Sequence, residues 1–151
     1  MIPAISQWRY TTSDPGNQGW IHSLPNWPSY TTGAFPIYSS TRYFAQSITI
    51  DYRFKTLPIL EVDVYTREGF ILYINGEEVN RYNLPAGSVN HNTVCLQTHD
   101  APVWRRVTVS GAQYLNSNSI LIAVQVHKGT ATGLADEFKL IAMPVAQGML
   151  L

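Results

Sequence analysis

Three groups of residues in this chain could do chemistry at short spacing. They are Glu61 with Asp63, the series His91, Cys95 and His99 with Asp100 beside it, and the adjacent carboxylates Asp136 and Glu137. Glu61 and Asp63 alternate with Leu60, Val62 and Val64. On a strand both carboxylates share one face about 7 Å apart, overlapping the roughly 6.5–9.5 Å used by paired carboxylates in inverting glycoside hydrolysis. The same alternation gives the core face to the apolar residues, so the pair falls on a wet face that would neither raise an acid's pKa nor enclose a sugar. His91, Cys95 and His99 are all competent zinc ligands. A helix would stack them, but residues 90–98 are poor helix formers; a strand would separate the two histidines by about 27 Å. The segment reads instead as a loop and short strand with Cys95 as a small buried residue. Asp136 and Glu137 are either oxygen ligands for a structural calcium ion or solvated loop carboxylates, and the second is the simpler reading. Gly-x-Ser-x-Gly and phosphate-loop patterns are absent, so neither a catalytic residue nor a cofactor is expected.

The elements that must position these side chains are strands. From Tyr43 onward apolar residues recur with period two: Phe44, Ile48, Ile50, Tyr52 and Phe54 share one parity, as do Ile120, Ile122, Val124 and Val126. Val103 to Val109 alternates in the same way, and Phe138 to Val145 closes the series. Asn75-Gly76 between two strand-like runs predicts a hairpin with a type I′ turn, since both central residues need positive φ. About eight strands, with turn clusters between them and no long helical pattern, predict an all-β antiparallel sandwich over residues 1–151 as one domain. The first 42 residues hold three of the four Trp and five of the nine Pro. They read as one early strand around Trp8 to Thr12, followed by long aromatic loops.

Charge narrows the function classes. Ten basic and ten acidic residues cancel, which argues against binding nucleic acid through a basic excess. Charged residues are only 13% of the chain, whereas Ser, Thr and Asn number 11, 13 and 9, giving a surface rich in hydroxyls and amides. Arg105 and Arg106 are adjacent and split across two sheet faces, so they form no basic patch. No apolar run approaches the roughly 20 residues of a membrane-spanning helix, so no membrane insertion is expected. The first residues lack the pattern of a signal peptide.

Several segments together resemble one family. Gly69-Phe70-Ile71-Leu72-Tyr73-Ile74-Asn75-Gly76-Glu77-Glu78-Val79, followed by Arg81, Asn83, Leu84, Pro85 and Gly87, is similar to a recurrent hairpin of galactose-binding-like jelly-roll modules found beside glycoside hydrolases and other extracytoplasmic enzymes. Trp8-Arg9-Tyr10, Gly19-Trp20, Trp27, Thr32-Gly33-Ala34-Phe35-Pro36, Thr41-Arg42-Tyr43-Phe44 and Ser119 to His127 resemble further segments of that family in the same order. Arg67-Glu68, Ala45, Ser119 and Gln125 depart from its usual residues.

The resemblance implies a jelly-roll fold, an extracytoplasmic setting and a non-catalytic carbohydrate-binding module. Sugars pack their CH faces on aromatic rings and pair their hydroxyls with amides and arginines. On that chemistry the candidate ligand-binding residues are Trp27, Tyr30, Tyr38, Arg67, Tyr82 and His91. The expected partner is a glycan or a parent multidomain protein. The alternative is an assembly module that docks to a larger chain or self-associates into an oligomer or filament, with the apolar tail Gly148-Met149-Leu150-Leu151 as one feature favouring it.

Overall fold

The computed structural model describes residues 5, 7–32, 41–99, 101–129 and 136–146. Nine strands form among them: β1 (Gln7–Thr11), β2 (Ser29–Thr31), β3 (Thr41–Thr49), β4 (Ile59–Thr66), β5 (Gly69–Ile74), β6 (Glu77–Tyr82), β7 (Val103–Ser110), β8 (Ser119–His127) and β9 (Lys139–Val145). All pair antiparallel, in a six-stranded sheet ordered β2-β1-β3-β8-β5-β6 and a three-stranded sheet ordered β7-β4-β9. The fold is an all-β antiparallel sandwich. One short helix, α1 (Gly111–Tyr114), follows β7 and is capped by the Ser110 side chain, which accepts from the Gln113 N–H.

The period-two pattern maps directly onto the two inner faces. Leu60, Val62 and Val64 of β4 face Phe44, Phe70, Leu72, Ile122, Val124 and Val126 of the larger sheet across a continuous core. At its centre the Phe44 and Phe138 rings stack at 4.0 Å between centroids, and Trp8 meets Phe138 edge-on at 5.0 Å. Asn75 and Gly76 both take positive φ, 51° and 82°, making the turn between β5 and β6 that their dipeptide predicts.

Two local expectations are overturned. The strand expected to run through Phe54 stops at Thr49, because the Asp51 side chain accepts the Arg53 N–H and starts a 3-10 turn over Tyr52–Phe54. Ile50 remains buried while Tyr52 is 79% exposed, so shared parity there does not mean a shared face. The aromatic N-terminal region contains a second strand, β2, which pairs with β1 and extends the larger sheet to its edge.

The outer face of the six-stranded sheet carries a second core. Tyr43, Ala45, Ile71, Tyr73 and Ala123 project outward from β3, β5 and β8 and are covered by Trp20, Ile21, Leu84 and Cys95 from two long connections. One connection spans residues 12–28 and the other residues 83–99. This explains why β8 is buried on both faces, whereas alternation alone predicts one wet face.

Candidate functional site

The two covering connections do not meet completely. Between them a cleft of about 170 Å³ opens over the sheet, lined by Asp14, Asn17, Gln18, Trp20, Asn90 and His91, with Tyr43 and Gln125 among its sheet residues. A second cavity of about 260 Å³ shares Pro15, Asn17 and Trp20 with it and adds Ser23, Pro25 and Trp27. The Trp20 and Trp27 rings lie 5.8 Å apart, and Trp20 also meets Tyr43 edge-on at 5.3 Å. The cleft and the cavity thus adjoin, with Trp20 and Tyr43 reaching them from the covered core at 5% and 3% exposure.

Each wall is fixed by local chemistry. Asp14 Oδ1 accepts the Gly16 N–H and Asn17 Oδ1 accepts the Gly19 N–H, so two side-chain turns shape the first connection. In the second, Asn90 Oδ1 accepts the Asn92 N–H, and the Thr93 hydroxyl accepts the Asn90 N–H. His91 is held with its ring nearly parallel to that of Tyr43 and its Nδ1 2.8 Å from the Tyr43 hydroxyl. Beneath them runs a buried chain of hydrogen bonds. The Tyr73 hydroxyl donates to Gln125 Oε1 at 3.3 Å, Gln125 Nε2 donates to His127 Nε2 at 2.7 Å, and His127 Nδ1 donates to the Thr93 carbonyl at 2.7 Å. The Thr41 hydroxyl donates to the His91 carbonyl at 2.7 Å and lies 3.3 Å from His127 Nδ1. The chain ties the second connection to β3, β5 and β8.

These groups are held uncharged. Burial pushes the Tyr43 phenol up to about 12, helped by the nearby Asp14 carboxylate, and burial raises the Tyr73 phenol to about 12 as well. Burial lowers His127 to about 4; the Thr93 carbonyl opposes that shift and the Arg42 charge adds to it. Burial, then the Glu68 carboxylate, raises the Cys95 thiol to about 11, so at neutral pH it is neither a nucleophile nor a thiolate ligand. Among the described residues Asp14 is the one carboxylate lining the cleft.

The residues singled out by type and spacing separate in space. His91 and Trp27 belong to the cleft and its neighbouring cavity. Tyr30 is only 1% exposed: β2 pairs it opposite Trp8, and its ring packs against Tyr10 and Phe44, so it serves the core and offers nothing to a ligand. Tyr82 and Arg67 lie elsewhere. The Tyr82 hydroxyl sits 3.0 Å from His99 Nε2, and Arg67 Nη1 donates to the His99 carbonyl at 3.0 Å. Tyr38 lies outside the described residues, as do Asp100 and the tail from Gly148.

The other candidates resolve into structural roles. Arg106 pairs with both Glu61 and Asp63 across β4 and β7, at 3.3 and 2.9 Å. His91, Cys95 and His99 each have separate partners, and no described group of three His, Cys, Asp or Glu residues is placed to hold a metal ion. Asp136 is buried, not a solvated loop carboxylate: Oδ2 accepts from Arg42 Nη2 and the Thr66 hydroxyl, while Oδ1 accepts the Arg67 and Glu137 N–H groups. Both of its oxygens are engaged by donors of this chain, which disfavours a calcium ligand there.

Composition missed Asp14, Asn17, Gln18, Tyr43, Asn90 and Gln125. One signal was available: Gln125 interrupts the apolar run from Ile120 to Val126 in β8, and a buried amide in a strand needs partners.

Neither a protein-family profile nor a curated protein matches the sequence. Solved structures do share the fold. The chain superposes on a Bifidobacterium dentium beta-glucuronidase complexed with coumarin-3-O-glucuronide with a TM-score of 0.57 and 10% identity, covering 84% of this chain and 20% of that one. A Ruminococcus gnavus beta-glucuronidase gives a TM-score of 0.57 at 13% identity, over 95% of this chain and 29% of that one. Another Ruminococcus gnavus beta-glucuronidase structure gives 0.55 at 13% identity, over 85% and 22%. The chain therefore spans between a fifth and three-tenths of these enzymes' length, and what it shares with them is the β-sandwich.

Proposed function

We propose that this chain is a non-catalytic carbohydrate-binding module of the galactose-binding-like jelly-roll kind, and that it receives glycan in the cleft over the six-stranded sheet. The observation that carries this reading is the accessible lining: the half-buried rings of His91 in the cleft and Trp27 in the adjoining cavity, with the exposed amides of Asn17, Gln18 and Asn90 beside them. Aromatic faces take the CH side of a sugar ring, and amides exchange donors and acceptors with its hydroxyls without needing charge. A lone carboxylate in the lining fits binding better than hydrolysis. The sandwiches of similar form occur in chains several times longer, which agrees with a module working beside a larger protein.

The test is a glycan microarray probed with the wild-type chain and with His91→Ala and Trp27→Ala. The reading expects a defined set of glycans to be retained by the wild type and lost, by tenfold or more, in both variants. Light scattering on the same samples separates the alternative role. A multimer whose interface covers the cleft, with no glycan retained, replaces this reading with assembly.

A further inference from the structure

A second depression lies on a different edge of the sandwich. β6 ends the larger sheet and β7 ends the smaller one, and between these two edges opens a groove of about 470 Å³. Among the described residues its lining includes Asn80, Arg81, Tyr82, Trp104, Arg105 and Arg106, and no carboxylate. Its volume falls within the roughly 300–1,000 Å³ of small-molecule sites.

Strand register decides which side chains face the mouth. Asn80 and Tyr82 stand opposite Leu72 and Phe70, and Arg105 stands opposite Val64, so all three share the parity of core residues and point between the sheets. A polar amide, a phenol and a guanidinium thus occupy positions where a closed sandwich would continue its apolar core. The Arg105 guanidinium carbon lies 3.8 Å from the centroid of the Tyr82 ring, which covers one of its faces. Among the described residues no carboxylate pairs with Arg105.

The other two arginines are occupied. Arg81 pairs with Glu78 at 2.8 Å and donates to the Pro85 and Gly87 carbonyls, while Arg106 holds Glu61 and Asp63. Arg105 therefore supplies the cation still available to a ligand. Trp104, the next residue along β7, points to the opposite face, where it is 46% exposed and its ring lies 5.0 Å from that of Tyr65.

We propose that this groove binds a carboxylated saccharide of one or two rings. Arg105 takes the carboxylate through paired N–H donors, and Asn80 takes a ring hydroxyl. A saccharide is favoured over an acidic peptide because a single available cation beside an amide suits a ligand with one carboxylate and several hydroxyls. An acidic peptide brings several carboxylates to a groove whose other arginines are already paired. The site is separate from the cleft of Trp20 and His91, and it selects for charge where that cleft is lined mainly by neutral groups.

The experiment titrates the full chain, followed by NMR of the arginine Nε–H and indole N–H signals, with D-galacturonic, D-glucuronic and D-mannuronic acids. D-Galactose and a tri-glutamate peptide serve as controls. At least one uronic acid is expected to shift the Arg105 signal, binding tenfold or more tightly than galactose. Arg105→Gln should weaken it tenfold or more with an unchanged melting temperature, Arg105→Lys should weaken it less, and Trp27→Ala should leave it unchanged. The proposal is overturned if no uronic acid binds, if galactose binds equally well, or if Arg105→Gln binds as the wild type does. In the last case Arg105 is only a charge guarding a sheet edge against strand pairing. Binding of tri-glutamate in preference to every uronic acid also overturns it, in favour of an acidic peptide.

Discussion

The side chains that looked most chemical in isolation are the ones most committed to holding the protein together. Asp136 gathers four donors at the end of the core, one of them the buried guanidinium of Arg42, whose pKa burial lowers despite the attraction of Asp136. Removing one partner of a buried pair leaves an uncompensated charge, so Asp136→Ala should cost about 3–5 kcal/mol in urea denaturation. The double variant Arg42→Met with Asp136→Leu should recover much of that loss. If the single variant is as stable as the wild type, the pair is not what closes this end of the sandwich. Cys95 is similarly retired from chemistry. With its thiol raised to about 11, native protein at pH 8 should react with iodoacetamide at roughly a thousandth of the rate of a free thiolate, and react fully once unfolded in urea. Rapid modification of the native chain would contradict the burial of that thiol beside Glu68.

At the scale of elements, local signals were legible and non-local ones were not. Asn75-Gly76 announces its hairpin because the positive φ of both residues is a property of the turn itself. Gly76 also sits so close to the His22 ring that a Cβ would collide with it. Gly76→Ala should therefore destabilise by about 1–3 kcal/mol, and adding His22→Ala should remove only the steric part, which thermal melts can resolve. The end of β3 was illegible from periodicity, because a single capping carboxylate at Asp51 overrode the alternation. The double burial of β8 depends on connections far away in sequence.

His127 reads out that covering layer. Its folded value of about 4 lies below its ordinary 6.5, so its contribution is complete above about pH 6.5 and is lost as pH falls toward 4. By linkage this amounts to about 3 kcal/mol. Urea midpoints at pH 7 and pH 4.5 should therefore differ by more in the wild type than in His127→Gln. Equal differences would mean that the imidazole is not buried neutral between Gln125 and Thr93.

For the molecule as a whole, one sandwich carries two chemically different depressions. Its fold class was legible because alternating strands dictate two inner faces, whichever connections join them. The cleft was only half legible. Trp27 and His91 were found by residue type, but Asp14, Tyr43, Asn90 and Gln125 come from four distant segments that meet only after the sheet forms. Tyr30 was a binding candidate by residue type, and the three-residue strand β2 turns it inward.

The central claim is that glycan enters the cleft over the six-stranded sheet. The most direct measurement is a two-dimensional NMR titration of the wild-type chain with the glycan most strongly retained on the array, following indole and backbone N–H signals. The account predicts saturable shifts at Trp20, Trp27, Asn17, Asn90 and His91, with β9 unmoved. Saturable shifts confined to other surfaces would contradict it, as would retention on the array without any shift in the cleft.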